Sequence, residues 1–165
     1  MKIFNYPVNL LFGLISMLTL YAQDRSNLYS LHQKEALNLT HKADLKAQII
    51  DKNISVAVLN SSEIALLLIK ANHVGLHNTK ASHKKAYTSL STKTAYFELF
   101  KKAANSNDAK SLNILPELLL LGGGVPIYKN GQLIDSIGVS GCDGSKNDHN
   151  IALQAILGLS DSITK

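Results

Sequence analysis

The sequence holds one cysteine, Cys142, and no tryptophan in 165 residues. A single thiol excludes an intramolecular disulfide, so the fold must close on packing alone. Cys142 itself reads first as a small residue in a tight loop, with an intermolecular disulfide or a metal or haem contact as alternatives. Arginine is almost absent: Arg25 stands alone against sixteen lysines, and only 6% of residues are aromatic. Nucleic-acid binders usually interleave clustered Arg and Lys with aromatic side chains, so the modest formal charge of +5 does not place this chain among them. No segment repeats at a fixed period, and none is low-complexity enough to serve as a linker, which leaves one domain as the working unit.

The first 22 residues lack acidic groups and carry one charge, Lys2. They read as a secretory signal: a positive start, an apolar run over Leu10–Leu20, and Leu20-Tyr21-Ala22 as a small-residue cleavage site before polar Gln23-Asp24-Arg25. The run is too short to span a bilayer comfortably, so no stable membrane span is expected after its removal. Residues 23–165 then form a single mature domain with a charge excess of about +4 by formal counting. Export predicts a secreted or periplasmic protein.

Within that domain, Leu28–Lys52 has helical spacing, with Leu39, Ala43, Ala47 and Ile50 on one face and a flanking stripe of Leu37, His41, Leu45 and Ile49. Ile54–Leu59 reads as a strand. Ile64–Ile69 reads as its hairpin partner, with a helix as the competing assignment. Helical spacing returns over Thr79–Lys102, with Ala86, Leu90, Phe97 and Phe100 inward. Asn105–Asp108 breaks it, and Ser111–Leu121 is ambiguous between helix and strand. Val125–Tyr128 and Gln132–Ser140 flank an Asn130-Gly131 pair that favours a tight hairpin turn. A terminal helix is expected over Asp148–Leu159. Helix, two strands, helix, two strands, helix defines an α+β fold with an antiparallel sheet and helices on one or both faces.

Several motifs fail on context. Gly122-Gly123-Gly124 leads into Val-Pro and a strand, with neither Gly-Lys-Ser/Thr nor a helix start, so a structural turn outweighs a phosphate cradle. Ser140 lacks the Gly-x-Ser-x-Gly elbow of a hydrolase nucleophile. His73 and His77 are four residues apart, but no third zinc ligand or general base accompanies them. One asymmetry remains. Between Ile64 and Phe97 there are five lysines and three histidines and no acid, with Lys80, Lys84 and His83 on one helical edge. That edge reads either as a solvated face or as a site for an anionic ligand. His41, interrupting an apolar stripe, reads either as a partly buried histidine with a backbone partner or as an imidazole placed for haem iron.

Gly123-Gly124-Val125-Pro126-Ile127, Asn130-Gly131, Ile137-Gly138-Val139-Ser140-Gly141 and Asp148 before an alanine-containing helix resemble the GlcG/HbpS-like haem-binding family, which includes the C-terminal domain of PduO-type proteins. Lys85-Ala86-Tyr87-Thr88 is similar to that family's Lys-Ala-x-Thr helix. The resemblance spans about Leu31 to Leu159. It implies a profilin-like fold, with a fifth strand expected from the ambiguous segments, a homo-oligomer, and haem or a related anionic tetrapyrrole as ligand. The chain departs from the family at Asn60, Glu63 and Asn72, where acidic residues and a glycine are usual.

On this reading Gly123 and Gly124 shape the pocket, Lys84 and Lys85 attract propionates, and His41, His77 or His83 ligates iron. No catalytic residue is assigned. The alternatives are a small enzyme or accessory factor that clamps an anionic metabolite with the same lysines, or a structural oligomer with a decayed pocket.

Overall fold

The computed structural model describes residues 29–157 and residue 159; the expected signal segment and Phe100's side chain lie outside the described residues. Helix α1 (Gln33–Gln48) begins where the His32 backbone N–H donates to the Glu35 carboxylate, 2.7 Å away. It buries Ala36, Leu39, Ala43 and Ala47 along one stripe, as its spacing requires. Ile50 is 43% exposed and falls outside that stripe.

Strands β1 (Ser55–Asn60) and β2 (Ala65–Lys70) form an antiparallel hairpin. Its turn is organised by Asn60, whose side-chain oxygen accepts from the backbone N–H groups of Ser62 and Ile64. β1 is buried on both faces because it is central, with β2 on one side and β4 on the other. Strands β3 (Gly124–Lys129) and β4 (Gln132–Ser140) form the second hairpin. Asn130 and Gly131 take φ values of 51° and 77°, the left-handed pair a two-residue hairpin turn requires. The sheet order is β2-β1-β4-β3, antiparallel throughout.

One face of the sheet presents Val56, Val58, Val125, Ile127, Ile137 and Val139 to α1 and the terminal helix α5 (Ser145–Ile156). The other face carries Ala57 and Leu59 against Ala86 and Leu90 of helix α2 (Leu76–Thr92). The result is a three-layer α+β domain of the profilin-like kind, helices flanking an antiparallel sheet. Glycines set the spacing of the second face. A Cβ on Gly138 would lie 2.0 Å from the Ser82 carbonyl oxygen, and one on Gly124 would lie 2.1 Å from that of Lys85. The backbone of α2 therefore rests directly on the sheet.

The structure corrects three sequence expectations. The helix expected over Thr79–Lys102 is two helices: Lys93 adopts φ 52°, its N–H closes the end of α2 onto Leu90 and Ser89, and α3 (Tyr96–Asn105) starts afresh. Ser111–Leu121 supplies no fifth strand; after the short α4 (Asn107–Ser111) and a 3-10 turn at Leu112–Ile114 it returns as irregular backbone around Pro116. The terminal helix begins three residues earlier than expected and ends at Ile156. Among the described residues no helix is long and apolar enough to cross a membrane.

Candidate functional site

Where α2 begins, it meets the β4–α5 loop across the glycine run. Lys85 and Asp148 form the centre of this junction. Their charged atoms are 2.7 Å apart, and the side chains are 4% and 6% exposed. The Lys85 ammonium also donates to the Val139 carbonyl at 3.1 Å and reaches Ser140 Oγ at 3.4 Å. The second oxygen of Asp148 accepts from the Cys142 backbone N–H at 2.9 Å, and Ser140 Oγ donates to the Asn78 amide oxygen at 2.8 Å. A buried ion pair holds only when its remaining hydrogen-bonding capacity is met in this way.

The glycine run passes through the middle of this network. A Cβ on Gly123, whose φ is 119°, would press on the Val139 carbonyl oxygen, Asp148 Cβ and Lys85 Cδ; one on Gly122 would strike the Ser145 carbonyl. The run is a structural thread between two helices, as its context indicated. Above the pair lies an open cleft of about 350 Å³, rimmed by His77, Asn78, Ser140, Asp143 and Ser145. His77 and Lys85 thus line one cleft, while Gly123 and Gly124 pack against Lys85.

Lys84 and His83 do not join them. Both are half-exposed on the outer side of α2, and the Lys84 ammonium is engaged by the Pro116 carbonyl oxygen. Lys85, expected with Lys84 to attract propionates, is buried with its charge spent on Asp148. Of the two lysines assigned as anion clamps, only Lys85 is paired with a buried carboxylate; Lys84 donates to a main-chain carbonyl at the surface.

His41 lies on the opposite side of the sheet, on the outward face of α1. There the stripe Leu37, His41, Leu45 and Ile49 runs open to solvent, with the three apolar residues 47%, 47% and 75% exposed. Beside it, between α1 and α5, is an open cleft of about 430 Å³ lined by Lys42, Leu45, Lys46, Gln154 and Leu157. Lys42 and Lys46 follow His41 by one and five residues, but nothing in their spacing marks them as lining a cleft, which the packing of α1 against α5 creates. Asp148 was not foreseen as Lys85's partner: 63 residues separate them, and no local spacing connects them.

Cys142 is fully buried in its loop, and burial together with the neighbouring Asp148 carboxylate pushes its thiol up to about 12. Among the described residues no cluster of three or more His, Cys, Asp or Glu side chains could hold a metal ion. Asn60 and Glu63 sit at the β1–β2 tip and Asn72 follows β2; none of the three lines either cleft.

Residues 31–157 match the family described as "Haem degrading protein HbpS-like". Among solved structures, a double mutant of Streptomyces reticuli HbpS is 26% identical, covering 79% of this chain and 88% of its own, with a TM-score of 0.73. HbpS at 24% identity (83% and 95% covered, TM-score 0.76) and a PduOC:heme complex at 23% (83% and 100%, TM-score 0.73) share the fold. Comparison with curated proteins finds no match. A family match over more than three quarters of the chain, together with the fold, places this chain in the HbpS-like family.

Proposed function

We propose that this chain is a secreted or periplasmic haem-binding protein that takes the tetrapyrrole on the outward face of α1, with His41 as the iron ligand. One observation carries the choice of site: His41 is exposed at the centre of an apolar stripe. Haem needs a nitrogen ligand amid apolar contact for the macrocycle, and cations for its carboxylates. Leu37, Leu45 and Ile49 offer the contact, and Lys42 and Lys46 border the adjoining cleft where propionates would be met. The cleft at His77 suits haem less well, because the carboxylates of Asp143 and Asp148 lie in its lining.

The donor set fits the group: an imidazole with no competing partner described for it, flanked by side chains that otherwise leave apolar surface in water. The bound haem would supply the iron chemistry, while this chain's residues bind and orient it. A stripe on a single helix covers one side of a flat ligand, so the expected homo-oligomer would cover the other with a second copy. The family description names haem degradation; the reading offered for this chain is binding.

Titrating the purified residues 23–165 with hemin tests the reading. A saturable Soret shift at micromolar protein is expected. His41→Ala should abolish it or lower the affinity at least tenfold, and Lys42→Glu with Lys46→Glu should weaken it less. No saturable shift, or loss in His77→Ala with His41→Ala unchanged, would overturn it.

A further inference from the structure

The segment from Thr94 to Leu121 crosses the α2 side of the molecule as a helical arm, tied down at its two ends. At one end the Thr94 N–H donates to the Ser89 carbonyl and the Tyr128 hydroxyl to that of Lys93; at the other, Leu119 N–H donates to Thr88 Oγ1 and Lys84 to Pro116. Just beyond the first tie, at the start of α3, the arm is held differently. Phe97 of α3 packs edge-on against the His149 ring of α5, with centroids 4.6 Å apart and planes at 88°. His149 is 6% exposed, and its Nδ1 meets no hydrogen-bonding partner.

Beneath the arm is a small, half-open cavity lined by Tyr96, Leu99 and Leu121 on the arm and by Lys85, Thr88 and Gly124 on the body of the domain. We infer that the arm is an acid-released lid: protonation of His149 frees Phe97 and lifts α3 from the cavity beside the Lys85–Asp148 pair.

The reason is the hydrogen-bonding capacity of the two forms. A neutral imidazole can leave one nitrogen unpaired at moderate cost, whereas an imidazolium carries two N–H donors and a charge. Nδ1, buried without a partner, has no acceptor for the N–H that protonation leaves there, and a ring contact is at best a weak substitute. Burial lowers the affinity of His149 for a proton, and no charged neighbour counters it.

The charged groups of the surrounding elements are already engaged or remote. On α5, Asp148 is held by Lys85 and Lys146 is exposed. On α3, Glu98 and Lys101 pair with each other in solvent. On β4, Asp135 is taken by Leu31 and Ser30, and on α1, Lys42 and Lys46 face the far end of α5. Hydration is thus what the imidazolium lacks, and swinging Phe97 away supplies it while the two tied ends act as hinges. This inference is independent of the haem site on the opposite face.

Hydrogen exchange of the mature chain at pH 7.5 and pH 5.0, corrected for intrinsic rates, tests it. An exposed imidazole titrates near 6.5, so opening at Tyr96–Leu118 should become up to about 30-fold more favourable at the lower pH. Amides of β1 and β4 should show no parallel rise. In His149→Phe the arm's exchange should lose its pH dependence, and His149→Gln serves if that variant fails to fold. An arm indifferent to pH, a dependence that survives in the variants, or an equal rise in the sheet amides would each overturn the lid.

Discussion

The two faces of the sheet are closed by opposite means. Toward α1 and α5, branched aliphatic side chains interdigitate at ordinary distance around Leu39, Val56, Val58 and Ile137. Toward α2 the sheet offers glycine and serine, and the helix answers with Ser82, Ala86 and Ser89 at backbone contact. Ser55 and Ser82 hydroxyls meet at 3.1 Å across this interface. The first face can absorb a changed side chain by repacking. The second cannot, because what it would have to move is main chain. The aliphatic side also leaves a surplus, the open stripe of α1, on which the proposed haem site is drawn.

The sharpest way to break this comparison is to put side chains on the close face. In Gly138→Val the new Cβ would overlap the Ser82 carbonyl, so α2 must lift from the sheet. Overpacking usually costs about 1–3 kcal/mol where side chains can yield, and a backbone clash should exceed that, at about 4 kcal/mol or outright failure to fold. Leu39→Ala on the other face should cost about 2–5 kcal/mol but leave a folded protein. Urea denaturation of the pair measures both. If Gly138→Val proves the milder change, the two faces do not differ as described.

Next in size is the ion pair that sits at the end of the close face. Lys85→Met leaves the Asp148 carboxylate buried without its cation, and removing one partner of such a pair costs about 3–5 kcal/mol. Adding Asp148→Leu should recover a large part, because the stranded charge leaves too. A double variant no more stable than Lys85→Met would show that the pair's hydrogen bonds to Val139 and Cys142 matter more than its charge balance.

How far these features could be read from the chain depends on how local their causes are. The β3–β4 hairpin was legible because Asn130-Gly131 and the alternation on either side act within a dozen residues, and β4 has the bounds its pattern implied. The buried stripe of α1 was legible for the same reason. The break at Lys93 was not: Ser91-Thr92-Lys93-Thr94 contains neither glycine nor proline, and the left-handed turn is fixed by the arm's attachments to Ser89 and Tyr128. Lys85 was read as a residue that attracts propionates, because nothing local shows a lysine of this helix turning inward. Only the fold reveals that Asp148 comes down on it. For His41 the residue and its apolar neighbours were visible, but whether the stripe would be covered depends on the layer order.

The aliphatic face has a titratable weak point of its own. Asp135, fully buried, accepts from the Leu31 N–H at 2.6 Å and from Ser30 Oγ at 2.9 Å, and burial raises its carboxyl to about 6. The native state therefore binds this proton more tightly than the unfolded chain, whose carboxyl titrates near 3.8. The stabilisation is fully present below pH 4 and is lost as pH rises through about 6, amounting to about 3 kcal/mol at most. Asp135→Asn keeps an acceptor for Leu31 and carries no charge, so it should flatten this fall and stabilise the protein at pH 7. Melting curves from pH 4 to 7.5 check it. A variant that melts lower at neutral pH would show that the carboxylate's hydrogen bonds outweigh its burial.

The smallest effect lies where neither helical layer reaches. Glu63, at the tip of the β1–β2 hairpin, holds φ at 66°, a conformation that costs a non-glycine residue about 1–2 kcal/mol. Its side chain is exposed, and its N–H donates to the Asn60 carbonyl as any residue's would. Glu63→Gly removes that strain but enlarges the freedom of the unfolded chain, which returns part of the gain. A net stabilisation of about 0.5–1 kcal/mol is expected, visible as a shift in the urea midpoint with an unchanged slope. Because Asn60 keeps its bonds to Ser62 and Ile64 in the variant, the turn itself is retained. A loss of stability would mean that the hairpin tip depends on the glutamate side chain rather than merely tolerating its strain.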